Sequence, residues 1–224
     1  MPEQLEHVLF DLDGTLVDSA PGVVWAIRTA WHRVCPQVPM PDLQQLIGPP
    51  IRTIFRQASP DLNAAMIESL VSHYRCAYDS EGWRQTSVYP GVLEALGELK
   101  KTGVCCWGVT NKPAVPTRLV LEHCGLREFF HEFLSIDSRT PPFASKIEAA
   151  QALMTQHGIR ASASRFVGDT LEDAHTAVAC GLPFLAFQGG YGWLQLQRHL
   201  PIGSSFGSFG VLPACLRSSG SSLG

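Results

Sequence analysis

The sequence predicts an α/β protein, with a parallel sheet covered by helices on both faces and an all-helical subdomain inserted near its start. Three observations lead there. From Tyr89 onward, short apolar runs alternate with stretches of helical periodicity. Residues 20 to about 85, by contrast, carry helical periodicity and almost no strand pattern. Finally, three of the apolar runs end in polar tips, at Asp11-Leu12-Asp13-Gly14, Thr110-Asn111 and Gly168-Asp169. Open parallel sheets bind ligands outside the carboxyl ends of their strands, so these tips are expected to converge.

The first strand is read over His7 to Phe10, an apolar run that delivers two carboxylates. Residues two apart on extended chain point the same way, so Asp11 and Asp13 are expected to face one space. Like charges that close raise at least one pKa unless a cation sits between them. Gly14 then lets the chain turn away. Val24, Ile27, Trp31 and Val34 mark a helix opening near Pro21. Cys35 to Pro39 breaks it, and a short helical piece over Asp42 to Ile47 runs into the turn Gly48-Pro49-Pro50. Helix resumes over Ile51 to Arg56, and Leu62, Met66, Leu70 and Tyr74 stripe a longer one. Arg52 and the Gly48–Pro50 turn are candidates to face a substrate, with a surface arginine the simpler reading of the first.

After Pro90-Gly91 a helix with Leu93, Leu96 and Leu99 stops at Gly103. Val104 to Val109 is a strand buried on both faces. Thr110 to Pro113 ends it and opens a helix reaching Cys124-Gly125. Phe133 to Ile136 is the third strand, Ser145 to His157 a helix, and Phe166-Val167 the fourth strand. Leu171 to Cys180 is helical and Phe184 to Phe187 is the fifth strand. The expected domains are a core of residues 1–18 with 87–216, a helical insert over 19–86, and a disordered Ser/Gly-rich tail over 217–224.

Composition narrows the function classes. Apolar residues make up 45% of the 224 and charged residues 17%, which suits a folded soluble protein. A net charge of −3 gives no electrostatic case for nucleic acid or an anionic membrane. No apolar run is long enough to span a bilayer, and the first residues lack the pattern of a secretory signal. Seven scattered cysteines without zinc spacing read as reduced thiols, hence a cytoplasmic protein. The expected partner is a small molecule, and the expected state a monomer or homodimer.

The polar tips carry chemistry. A carboxylate can attack phosphorus to form an aspartyl-phosphate, which makes Asp11 the candidate nucleophile. Asp13 can protonate the leaving oxygen and later take a proton from water. Mg²⁺ suits Asp11 and Asp169 with backbone oxygens, and Asp173, four residues on, can reach the ion or its waters. Thr110 and Asn111 offer a hydroxyl and an amide at a helix N-terminus, where an anion is favoured. Lys146, at the next helix start, supplies a fixed positive charge to a phosphoryl group.

Asp11-Leu12-Asp13-Gly14-Thr15-Leu16, Val109-Thr110-Asn111, Lys146, and Gly168-Asp169-Thr170 with Asp173 resemble the four motifs of the haloacid dehalogenase-like hydrolases, in that family's order. The resemblance implies a Rossmann-like three-layer core with a helical cap. It is nearest to the phosphoglycolate phosphatase-like branch, whose members have segments similar to Ile47–Ile51 and Gly190-Tyr191-Gly192. It implies a Mg²⁺-dependent phosphatase of a small phosphorylated metabolite. Asp11 is then the nucleophile and Asp13 the acid/base, with Asp169 and Asp173 at the metal. The backbone carbonyl of Asp13 also binds the ion, and Gly14, Thr110, Asn111 and Lys146 lie at the phosphate. Many relatives follow the lysine with proline, whereas Ile147 stands here. The dehalogenase branch lacks the second aspartate. A phosphomutase of the β-phosphoglucomutase kind shares the motifs but calls for a basic cap signature not found here. A non-catalytic binding protein has no use for both Asp11 and Asp13.

Overall fold

A computed structural model describes residues 4–40, 42–43, 50–199 and 205–218. Most of the helical piece expected over Asp42 to Ile47, the Gly48-Pro49 turn and the tail beyond Ser218 lie outside the described residues. The chain divides into two compact units, Met1–Asp18 with Val88–Gly224, and Ser19–Ser87.

Strand β1 (His7–Phe10) is followed by the second unit's helices α1 (Ala20–Val34), α2 (Ile51–Ala58) and α3 (Ala64–Ser80). The first unit resumes with α4 (Val92–Lys101), β2 (Cys105–Thr110), α5 (Ala114–His123), β3 (Phe130–Ser135) and α6 (Lys146–His157). It closes with β4 (Ser164–Gly168), α7 (Leu171–Ala179), β5 (Phe184–Phe187), α8 (Trp193–Leu196), β6 (Ser205–Phe206) and α9 (Leu212–Ser218). These six strands form a sheet in the order β3-β2-β1-β4-β5-β6, apart from the two-residue strands Val17–Asp18 and Ser87–Val88. Every pairing in it is parallel. This is the doubly covered α/β core expected from the alternation, with β1 at its centre.

That placement explains the composition of β1. Leu9 packs with Trp107, Val109, Phe166 and the α6 residues Ala149, Ala150 and Leu153. Val8 and Phe10 point to the opposite face by strand alternation and are also fully buried. Register then aligns the tips. Phe10 lies opposite both Gly108 and Val167, and the Asp11 N–H extends the ladder by donating to the Val167 carbonyl at 3.0 Å. The residues following β1, β2 and β4 therefore emerge side by side.

The sequence reading missed β6. Ser205–Phe206 is too short to show a period, yet it pairs with Ala186–Phe187, and Phe206 joins Phe187 and Phe209 in an aromatic cluster. The third strand also starts earlier than expected, at Phe130, whose ring meets Phe10 edge-on at 6.0 Å.

The helical unit has its own core, in which Ile27, Ala30, Trp31, Ile54, Phe55, Ile67 and Leu70 are buried together. The Trp31 indole donates to the Val38 carbonyl, 3.0 Å away. Arg52 pairs with Glu68 on the surface of this unit, in keeping with the simpler reading. Among the described residues, no helix is long and apolar enough to cross a membrane.

Candidate active site

Three carboxylates converge at the tips of the central strands. Oxygens of Asp11, Asp169 and Asp173 lie within 4.8 Å of one another, and all three residues are buried. Asp11 follows β1, Asp169 follows β4, and Asp173 sits in the first turn of α7. Local sequence fixes the last of these. Thr170 caps α7 by accepting from the Asp173 N–H, while Asp173 Oδ2 accepts from the Thr170 N–H and hydroxyl, a reciprocal capping box. The same oxygen also accepts from the Asp169 N–H, 3.1 Å away.

Asp169 is seated as closely. Its Oδ1 accepts from the Thr15 hydroxyl at 2.8 Å and its Oδ2 from the Gly192 N–H at 3.1 Å. Two glycines make room for it. Gly14 has φ +86°, and a Cβ there would stand 2.6 Å from Asp169 Oδ2. A Cβ on Gly190 would fall 2.2 Å from the Asp169 Cβ and 2.4 Å from the Gly14 carbonyl. Thr15 went unassigned in the sequence reading, although it stands inside the first motif. Its partner lies 154 residues away, and only the fold brings them together.

Lys146 is the first residue of α6, placed by a Ser145 cap that accepts from the Glu148 N–H. Its ammonium touches Asp11 Oδ1 and lies 2.6 Å from Asp173 Oδ1, with the lysine side chain only 4% exposed. Burial would push this ammonium down, but the two carboxylates more than reverse that and raise its pKa. One ammonium faces three carboxylates, so not all three can be ionised there without cost. Burial first, then repulsion from Asp173 and Asp169, hold Asp11 well above the usual carboxylate range, against the pull of Lys146. Asp169 is pushed up to about 7 by burial and by Asp173.

Asp13 is placed differently. Its carboxylate is not one of the three clustered groups and faces Lys112 instead, with Nζ at 3.0 Å from Oδ1 and 3.3 Å from Oδ2. Thr110 ends β2 and is buried, and its hydroxyl oxygen accepts from the Lys112 N–H at 3.1 Å. The Asn111 amide donates to Glu172 at 2.8 Å, tying the tip of β2 to the first turn of α7. At the N-terminus of α5, the Ala114 N–H donates to Asp137. The Gly14 N–H donates to the Val17 carbonyl, so what Gly14 offers a ligand is the absence of a side chain. Tyr191, in the loop after β5, donates to Asp18 at 2.8 Å.

Comparison with known proteins bears on the family and the fold. A profile of the haloacid dehalogenase-like hydrolases matches residues 8–187. A phosphoglycolate phosphatase of Rhodobacter capsulatus is 32% identical over 218 residues, which cover 92% of this chain and 94% of that protein. The tyrosine-protein kinase PtkA of Mycobacterium tuberculosis is 31% identical over 191 residues, 85% of this chain, and the chain spans only 64% of that relative's length. Among solved structures, a haloacid dehalogenase-like family hydrolase of Streptococcus pneumoniae superimposes with a TM-score of 0.82 at 24% identity. That match covers 94% of this chain and 98% of the other, and it shows the common fold.

Proposed function

The chain belongs to the haloacid dehalogenase-like hydrolase family, and from that premise we propose that it is a Mg²⁺-dependent phosphatase acting on a small phosphorylated metabolite through an aspartyl-phosphate. The observation that carries this reading is the convergence of three buried carboxylates, Asp11, Asp169 and Asp173, where Lys146 is in contact with two of them. Burying like carboxylates is costly unless a cation offsets them. The donor set is all oxygen and suits a hard divalent ion.

Asp11 and Asp169 are the residues that would hold Mg²⁺, with the Asp13 carbonyl completing the set and Asp173 acting on the ion or its waters. Asp173 Oδ2 already accepts three hydrogen bonds and its Oδ1 lies against Lys146, which favours the second role for it. When bound, the ion supplies charge neutralisation for carboxylate and phosphate together. In the first step a bond forms from Asp11 to phosphorus as the bond to the leaving oxygen breaks, and Asp13 gives that oxygen a proton. In the second, water attacks the phosphoryl group, Asp13 takes its proton, and Asp11 is released. Thr110 and Asn111 hold phosphoryl oxygens beside Lys146, and the bare Cα of Gly14 leaves them space.

The unit Ser19–Ser87 serves in this reading as the cap that selects the substrate. Phosphoglycolate is the first candidate, because the similar Rhodobacter capsulatus protein is named for it and matches nearly end to end. The seven free thiols support a cytoplasmic setting. The test is turnover of p-nitrophenyl phosphate by the wild type and by Asp11→Asn, with Mg²⁺ and with EDTA, followed by a panel of phosphorylated metabolites. Turnover that needs both Mg²⁺ and Asp11 is expected. Equal rates for the two proteins would end the nucleophile assignment.

A further inference from the structure

We propose that Lys112 is a positioning residue for Asp13, holding the acid/base carboxylate at the tip of β2 and away from the Lys146 cluster. The inference rests on the roles given above to Asp11 and Asp13. The two aspartates are two residues apart on a strand end, and without further control both carboxylates would compete for Lys146. The structure gives each its own cation. Lys146 takes Asp11, while Lys112 reaches both oxygens of Asp13.

Lys112 is built to stay where it is. Its N–H donates to the Thr110 hydroxyl oxygen at 3.1 Å. Its carbonyl accepts from the Thr117 hydroxyl at 3.2 Å, and Thr117 in turn accepts from the Ser135 hydroxyl at 3.0 Å. Thr110, Thr117 and Ser135 are all buried, so the backbone of Lys112 is pinned from both sides by groups that have no water to turn to. The lysine side chain is 7% exposed and Asp13 is 26% exposed. A fixed cation thus holds a partly open carboxylate, which is the pairing needed when the carboxylate must meet substrate and then water while its position is kept.

A group acting only through Asp13 cannot cost more than Asp13 itself, and general acid–base catalysis contributes ~10²–10⁴-fold. The experiment is a double-mutant cycle on p-nitrophenyl phosphate with Mg²⁺, using Lys112→Met, Lys112→Arg, Asp13→Asn and the Lys112→Met/Asp13→Asn pair. Lys112→Met should lower kcat ~10–100-fold with KM changed less than about threefold, and Lys112→Arg should recover most of the loss. The paired variant should be no slower than Asp13→Asn alone. Rapid mixing adds a second readout. Nitrophenolate leaves without a proton donor, so Lys112→Met should keep its initial burst while the later phase slows. Additive losses in the paired variant, a lost burst, or a Lys112→Met enzyme as fast as wild type would each overturn the inference. If Asp11→Asn retained full activity, the phosphatase reading itself would fail, an outcome distinct from a wild type that needs Asp11 and is indifferent to Lys112.

Discussion

Two lysines meet two neighbouring aspartates at the strand tips, and the surroundings of the two pairs differ. Lys146 lies against Asp11 and Asp173, in a place where the three side chains are 4%, 7% and 0% exposed. Lys112 lies against Asp13, and Asp13 keeps a quarter of its surface open. The inner pair is part of a buried charge cluster that cannot rearrange without leaving a charge stranded. The outer one is anchored on the lysine side and accessible on the carboxylate side. The same chemical contact therefore serves as a permanent strut in one place and as an adjustable holder in the other.

Three measurements bear on that contrast. Removing the inner cation should have the largest effect. Lys146→Met strands buried carboxylates and should lower unfolding stability by ~3–5 kcal/mol in urea titrations without divalent ions. A loss near zero would show that the cluster is solvated and would erase the distinction between the two pairs.

The pH response of the inner cluster comes next. Asp169 is raised in the folded state to about 7, so the folded protein binds that proton more tightly than the unfolded chain does. The stabilisation is fully present below the ordinary carboxylate pKa near 4 and is lost as pH rises through about 7. Without metal, thermal stability should therefore fall between those limits, by at most ~4 kcal/mol from this residue. Mg²⁺ should restore more of it at the upper limit than at the lower. Asp169→Asn should flatten the slope, and an unchanged slope would assign it to other groups.

The smallest change is expected at the outer pair. Lys112→Met should cost only ~1 kcal/mol in the same urea titration, because Asp13 stays solvated when its partner goes. A loss as large as that of Lys146→Met would make the two pairs equivalent.

Much of this was legible in the chain. The alternation after Tyr89 identifies the sheet as parallel, and a parallel sheet brings Asp11 and Asp169 to one end by its construction. The place of Asp173 near Asp169 follows from their four-residue spacing, whereas the capping box that fixes it came only with the structure. What could not be read were the long-range partners. Lys112 stands in plain sight in Thr110-Asn111-Lys112-Pro113, yet its carboxylate is 99 residues distant, and a loop lysine ordinarily faces water. The Asn111 contact with Glu172 and the Thr15 contact with Asp169 were hidden for the same reason. Strand β6 was hidden by its length, since two residues carry no period.

The seat built around Asp169 limits how this protein can be altered. Positions 14 and 190 have no latitude: the first atom of any added side chain at either would collide with that aspartate. Libraries aimed at a new activity should leave both codons untouched, whereas the helices of Ser19–Ser87 pack a separate interior.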